Sequence, residues 1–233
     1  MVNGKKRVLM IITSHARMGE GGKPTGVWAE ELATPYYALK DAGVQVDLAS
    51  PKGGPVPFDP GSVKPAGQNP AEVDRLLSDE AAQAQLSKTA PAVQVDGAAY
   101  DAIFLPGGHG TMWDLPVDDG VRRAVEAAHA AGRVIAAVCH GPAGLVSARA
   151  SNGESIVAGK RVNAFTDEEE TAAGLDKIVP FMLESRLREL GGRFERGPMW
   201  GAYAVRDGQL ITGQNPASSK LVAEKVLEAL GIA

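Results

Sequence analysis

The residues with the clearest capacity for chemistry are Cys139 and His140, adjacent in the run Arg133 to Val146, Arg-Val-Ile-Ala-Ala-Val-Cys-His-Gly-Pro-Ala-Gly-Leu-Val. Cys139 is the only cysteine in the chain. The apolar, β-branched residues before it, bounded by Gly132, suit a buried parallel strand. Those after it suit the opening of a helix, with Pro142 placed where a first helical turn has no use for its missing N–H. A sharp strand-to-helix turn at a nucleophile lifts the side chain to the carboxyl end of the sheet, the geometry of a nucleophile elbow. The amino terminus of the next helix is expected to favour the thiolate, which is the nucleophilic form. The alternative is a small buried core residue, as free cysteines often are; a core strand ending in Cys-His-Gly-Pro argues against it.

A thiol that acts as a nucleophile needs a proton acceptor or a cationic neighbour. The chain has four histidines, His15, His109, His129 and His140. His140 is adjacent to the thiol in sequence, which does not by itself fix contact. His15 and His109 follow the carboxyl ends of predicted strands, where open α/β sheets collect site residues, so either could line a pocket. His129 is expected to be an exposed bystander on an alanine-rich helix. Of the neighbours Glu30 and Glu31, only one can face the sheet. If Trp28, Leu32 and Pro35 pack inward, Glu31 shares their side, where a carboxyl without a partner is costly. A buried Glu31 beside the thiol is the functional reading; two solvated glutamates are the plain one. Pro106-Gly107-Gly108-His109-Gly110 directly follows an apolar run. Adjacent glycines there let backbone N–H groups approach a bound group, or simply make a tight turn.

These residues need a frame. Arg7 to Thr13 reads as a first buried strand, Ser14 to Thr25 as a glycine-rich loop, Gly26 to Ala42 as a helix stopped by Gly43, and Val44 to Ala49 as a second strand. Such a β-α-β start indicates a doubly wound, mostly parallel α/β sheet flanked by helices. Ser50 to Pro70 is a proline-rich loop, long enough to cover a site or meet a partner. Ala71 to Lys88 reads as a helix, so that residues 50–91 form a small helical and proline-rich insertion or cap within one domain spanning 1–233. Tyr100 to Leu105 is a further strand, and Val117 to Ala131 a helix leading to the elbow. Ile156 to Val157 and Arg161 to Phe165 read as short strands, and Val179 to Leu190 as an amphipathic helix. Phe194, Tyr203 to Val205 and Leu210 to Thr212 suggest a hairpin turning at Asp207-Gly208. Gly213 to Ser219 then leads into a last helix ending at Leu230.

With 44% hydrophobic and 22% charged residues the chain has a soluble globular composition. A net charge of −4 gives no basic footprint for nucleic acid or an anionic membrane. A single cysteine allows no internal disulfide, and Lys5, Lys6 and Arg7 lead into a strand rather than a signal sequence, so a cytoplasmic location is expected.

Together, six segments make the chain resemble the ThiJ/PfpI superfamily, in its branch of glutathione-independent glyoxalases (glyoxalase III) and heat-shock-protein-31-type chaperones. They are Gly26-Val-Trp-Ala-Glu-Glu31 with Pro35-Tyr36, Leu105-Pro-Gly-Gly-His-Gly110, Ala137-Val-Cys-His-Gly-Pro142, Phe165-Thr-Asp-Glu-Glu-Glu170, Val179-Pro-Phe181 and Thr212-Gly-Gln-Asn-Pro216. The resemblance implies a flavodoxin-like, class I glutamine amidotransferase-like fold. It makes Cys139 the nucleophile, His140 its partner and Glu31 the acid bonded to the sulfur. It places oxyanion or substrate contacts at Gly107, Gly108, His109 and Gly141, with the backbone N–H of His140 as an oxyanion donor. The triad acid falls within Asp167 to Glu170, with Glu169 preferred and Glu170 close behind. No His-x-Glu pair of the amidotransferase kind is present, which disfavours ammonia transfer. The implied activity is conversion of a small 2-oxoaldehyde such as methylglyoxal to D-lactate, with no metal or organic cofactor. Deglycase or stress-protective activity, a chaperone role or a PfpI-type cysteine peptidase are the alternatives. A homodimer is implied as well.

Overall fold

The computed structural model describes residues 5–19 and 22–232. Residues 1–4, Glu20 and Gly21 of the expected Ser14 to Thr25 loop, and Ala233 lie outside the described residues. The first half runs β1 (Arg7–Ile11), α1 (Ala29–Asp41), β2 (Gln45–Ser50), α2 (Ala71–Ser78), α3 (Glu80–Leu86), β3 (Ala90–Pro91), β4 (Ala102–Leu105), α4 (Thr111–Asp114), α5 (Asp119–Ala130) and β5 (Val134–Val138). Then follow β6 (Arg161–Val162), α6 (Asp167–Ala172), α7 (Leu183–Glu189), β7 (Arg193–Phe194), β8 (Ala204–Asp207), β9 (Leu210–Gly213) and α8 (Ser219–Ala229). Seven strands form one sheet in the order β3-β2-β1-β4-β5-β9-β8, parallel except at the β8–β9 hairpin. β6 and β7 form a separate parallel pair.

The strands are apolar at almost every position because helices cover both faces. Val8, Met10 and Phe104 point to the side closed by Leu32 and Tyr36 of α1 and Val222 and Val226 of α8. Leu9, Ile11, Ile103 and Leu105 point to the other side, against Val121 and Val125 of α5. From β1 the chain first winds outward to β2, then returns to place β4 on the opposite side of β1. Open α/β sheets carry their sites beyond the strand carboxyl ends near such a reversal. Gly107 follows β4 and Cys139 follows β5, which is paired to β4 through Leu105 and Ala137.

The expected fold class is met, and several local expectations are corrected. The helix over Ala71 to Lys88 breaks into two at Asp79, whose carboxylate accepts the N–H groups of Ala81 and Ala82 at 3.0 and 3.1 Å and so starts α3. The Val179 to Leu190 helix begins only at Leu183, because Pro180 disfavours helical backbone at the residue before it. Ile156 to Val157 is a turn, and Phe194 pairs with Val162 rather than joining the hairpin. After Cys139 there is a single 3₁₀ stretch, Gly141–Leu145, in place of an α-helix. Gly141, Pro142 and Gly144 within five residues are poor α-formers.

Residues 50–91, expected as an insertion, include β3 of the main sheet, and their proline-rich part is tied to the start of α1. Val27 N–H donates to the Pro57 carbonyl and Asp59 N–H to the Val27 carbonyl, both at 2.9 Å. The Ser62 hydroxyl accepts the Ala29 N–H at 3.0 Å, which caps α1 from outside because Trp28 at the cap position offers no side-chain acceptor. Farther along α1, Tyr36 and Tyr37 donate their hydroxyls to Gln85 and Asp79 at 2.8 and 2.9 Å. The proline-rich loop thus sets the position of the helix turn that carries Glu31. Among the described residues, no helix is long and apolar enough to cross a membrane.

The 3₁₀ turn sits directly on β4. A Cβ at Gly141 would lie 2.0 Å from the Leu105 carbonyl oxygen. Gly141→Ala is therefore expected to destabilise the fold by about 1–3 kcal/mol in urea unfolding, the usual effect of overpacking against a rigid neighbour. Wild-type stability in this variant would contradict the packing described.

Candidate active site

Cys139 has φ +58°, in the left-handed region that non-glycine residues rarely enter. Such a conformation costs on the order of 1–3 kcal/mol and persists only where neighbours hold it. Here Cys139 N–H donates to the Gly213 carbonyl, and its own carbonyl accepts from Phe165 N–H, both at 2.9 Å. The elbow expected from the sequence is therefore present, clamped from β9 on one side and from the Phe165 segment on the other.

Cys139 Sγ lies 3.3 Å from His140 Nδ1. His140 Nε2 lies 2.7 Å from Glu170 Oε2, and the other oxygen, Oε1, lies 2.9 Å from His109 Nε2. An ionised carboxylate only accepts, so both imidazoles direct an Nε2–H to it, and His140 keeps Nδ1 as an acceptor facing the thiol. Burial lowers the pKa of His140, helped by the neighbouring His109 ring 4.1 Å away, which leaves the imidazole neutral and able to take a proton. Burial alone would raise the Glu170 carboxyl, but the pull of His140 and the N–H donors outweighs it and brings the group down to about 2.

Glu31 is also fully buried, with opposite consequences. Gly107 N–H donates to its Oε2 at 2.9 Å, and Oε1 has no partner among the described residues. Burial raises its pKa well above the ordinary carboxylate range, only partly offset by the Cys139 thiol and the Gly107 amide. Burial also pushes the thiol well up, and a negative charge on Glu31 would push it further. The helix-terminus stabilisation expected from the sequence is not met, since one 3₁₀ turn has little dipole to offer. Activation falls instead to His140 Nδ1 and to a Glu31 carboxyl that keeps its proton.

The glycines divide into two roles. A Cβ at Gly107 would lie 2.5 Å from Glu31 Oε2 and 2.7 Å from the His140 nitrogen, so this glycine lets three elements meet. Gly108 has φ +100°. Among the described residues, the Gly108 N–H has no backbone acceptor and the His140 N–H faces the Cys139 sulfur, and both residues line the cavity above it. They are the candidate oxyanion donors. Gly107 and Gly141 do not line that cavity, and each lets neighbouring backbone approach closely.

The preference for Glu169 as the triad acid requires correction. Its Oε2 accepts the Thr166 N–H and hydroxyl, both at 3.1 Å, and its own N–H donates to Thr166 Oγ1 at 3.0 Å, which with the Thr166 N–H bond completes a capping box. Its Oε1 accepts from Trp200 N–H, Gln214 and Asn215 at 2.8, 3.0 and 2.8 Å. One residue along a helix turns the side chain by about 100°, so Glu169 faces away from His140 and Glu170 faces it. The Thr-x-x-Glu spacing of a capping box was the available signal.

The cavity has a volume of about 410 Å³. Glu31, Cys139 and His140 form its buried floor, with Cys139 only 3% exposed. His109, with 13% of its side chain exposed, borders it. Trp28, Phe165, Leu175 and Trp200 supply apolar walls, and Asp59 of the proline-rich loop reaches it as well. Of these, Asp59, Phe165, Leu175 and Trp200 carried no sequence signal of their own as pocket residues. His15 lies elsewhere, stacked on Trp113 at 5.4 Å. His129, in the last turn of α5, takes no part. The ligating atoms of His109, His140 and Glu170 lie within 4.8 Å of one another, a spacing that could hold a metal, but both ring N–H groups are already satisfied by the carboxylate.

The chain has relatives among known proteins in both sequence and structure. The sequence model of the DJ-1/PfpI family matches residues 24–229. The chain is 32% identical to the glutathione-independent glyoxalase HSP31 of Saccharomyces cerevisiae, over 97% of this chain and 98% of that protein. Its structure is similar to the crystal structure of glyoxalase III from Candida albicans, with TM-score 0.87 and 29% identity, covering 96% of this chain and 97% of the other. It is also similar to the Rapid Encystment Protein of Francisella tularensis, with TM-score 0.91 and 37% identity over 97% and 99% of the two chains.

The environment of Glu31 leads to a pH test. Its folded pKa lies above its ordinary value of 4.5, so the stability it contributes is complete below that pH and is lost as pH rises toward the folded pKa. Glu31→Gln fixes the neutral state. Melting temperatures of wild type relative to Glu31→Gln are expected to fall steadily as pH rises from 4.5 to 8, and a difference independent of pH would contradict a buried, proton-holding carboxyl.

Proposed function

The chain belongs to the DJ-1/PfpI family, and from that premise we propose that it is a glutathione-independent glyoxalase converting small 2-oxoaldehydes to 2-hydroxy acids, D-lactate in the case of methylglyoxal. The relatives that carry this name, aligned over nearly their whole length, support the reading. The observation that carries it is the setting of Cys139 Sγ. It lies 3.3 Å from an acceptor nitrogen of His140 and shares the pocket floor with a Glu31 carboxyl that retains its proton.

In the proposed reaction His140 Nδ1 takes the thiol proton while Glu170 stabilises the imidazolium. The sulfur adds to the aldehyde carbon, and the new oxyanion rests on the Gly108 and His140 N–H groups before it takes the proton back from the imidazolium. Neutral His140 then removes the hydrogen of the former aldehyde carbon as Glu31 protonates the neighbouring ketone oxygen, giving an enediol. The imidazolium returns its proton to the former ketone carbon, and the hydroxyl on the sulfur-bearing carbon returns one to Glu31. The product is a 2-hydroxy thioester, and water releases the acid and restores the thiol. One carbon is oxidised as the other is reduced, so the reaction balances internally. A peptidase role fits less well, because a sulfur at the floor of a 410 Å³ cavity leaves no room for an extended chain.

Cys139→Ala is expected to reduce D-lactate formation from methylglyoxal, measured without glutathione, to the background of buffer; turnover near the wild-type rate would overturn the reading. Glu170→Gln is expected to lower kcat by about 10²- to 10⁴-fold, the range of general acid–base contributions, with a much smaller change in KM.

A further inference from the structure

Methylglyoxal has five non-hydrogen atoms, on the order of 150 Å³ if each takes about the 30 Å³ share of a water molecule. The cavity holds about 410 Å³. The groups with chemistry to offer lie at its floor, and the space above them is walled by Trp28, Phe165, Leu175 and Trp200. A substrate with only a methyl group beyond its two carbonyls leaves that upper compartment untouched.

Trp200 is the unusual member of this wall. It has φ +61°, a left-handed conformation that a bulky residue adopts only under constraint, and it is 48% exposed. The constraint comes from buried side chains. Glu169 Oε1 accepts the Trp200 N–H at 2.8 Å together with the Gln214 and Asn215 amides. Asn215 donates to the Gly201 carbonyl at 2.9 Å, while Gln214 accepts from Gly197 N–H at 2.8 Å and donates to the Pro198 carbonyl at 3.2 Å. Residues 197–201 are thus fastened from both ends around a strained, half-exposed tryptophan. Its ring lies 5.7 Å from Phe165, and Phe165 lies 4.5 Å from the His140 ring, so an aromatic row leads from the reacting imidazole to the rim. Core packing does not account for a large apolar ring kept in this state, since half of it faces solvent.

We propose that the upper compartment is a subsite for an aromatic or bulky apolar substituent on the 2-oxoaldehyde, with Trp200 as its specificity-determining residue and Glu169 as a positioning residue that holds Trp200 over the cavity. This rests on the glyoxalase reading for its chemistry, and on the cavity and the Glu169 network for its specificity. An arylglyoxal places its two carbonyls at the floor and its ring against Phe165 and Trp200, where aromatic contact adds to burial.

The test compares kcat/KM for phenylglyoxal and methylglyoxal. Wild type is expected to favour phenylglyoxal. Trp200→Gly, which suits the φ of +61°, is expected to keep its melting temperature and to lower the phenylglyoxal-to-methylglyoxal ratio about 10-fold, mainly through KM, as loss of an aromatic partner predicts. Trp200→Phe recovers part of the ratio, and Glu169→Gln lowers it in the same direction. A ratio left unchanged by Trp200→Gly, or a loss of kcat alike on both substrates, overturns the proposal. Affinity for 2-hydroxyacetophenone against hydroxyacetone, read by NMR in the Cys139→Ala background, separates the two readings. If neither aldehyde is turned over but Trp200→Gly still removes the preference for the aryl ketone, the activity reading falls and the subsite stands. If no aryl preference exists there either, the subsite falls as well.

Discussion

Cys139 and Glu31 are buried at the cavity floor and Glu170 is buried just behind His140, and so small a region cannot hold three uncompensated negative charges. The fold resolves this with donors. Glu170 receives an N–H from each of two imidazoles and remains ionised down to about 2. Glu31 receives one amide, from Gly107, and keeps its proton. Two buried glutamates on either side of Cys139 and His140 are thereby set to opposite states, one to hold an imidazole and the other to give and take a proton, a division of labour created by environment rather than residue type.

The sheet supplies the geometry for this division. β4 and β5 are neighbours in register, so the turns that follow them bring Gly107, Gly108, Cys139 and His140 together without any long-range loop. Glu31 arrives from the opposite side on the first turn of α1, and Ser62 of the insertion caps that turn. The left-handed backbone of Cys139 is the strained element in the assembly, and it is held by donating to the Gly213 carbonyl and accepting from Phe165 N–H. The insertion therefore belongs to the site mechanically, through α1, as well as through Asp59 at the cavity wall.

The sheet and the elbow were legible in the sequence because they depend on short-range patterns: apolar runs between glycines, and a nucleophile where a strand gives way to small residues. Glu31 could be placed by helical spacing from Trp28 and Leu32. The choice between Glu169 and Glu170 turned on a single step of helix phase, and Thr166 held the clue through its capping spacing. The helix expected after Cys139 was misread: Gly141, Pro142 and Gly144 have low helix propensity, and the chain makes only a 3₁₀ turn there. Trp200, Phe165 and Asp59 were not legible, because their roles arise from loops brought together by side chains distant in sequence, such as Glu169 with Gln214 and Asn215.

The most direct test of this account is a ¹³C NMR titration of glutamate side-chain carboxyl carbons, with Glu31 and Glu170 assigned from their glutamine variants. The Glu170 carbon is expected to show an ionised carboxylate throughout the range above pH 4, and the Glu31 carbon a protonated carboxyl that persists well above the ordinary value of 4.5. Two signals that both titrate near the ordinary value of 4.5 would contradict the opposed protonation states on which the site depends.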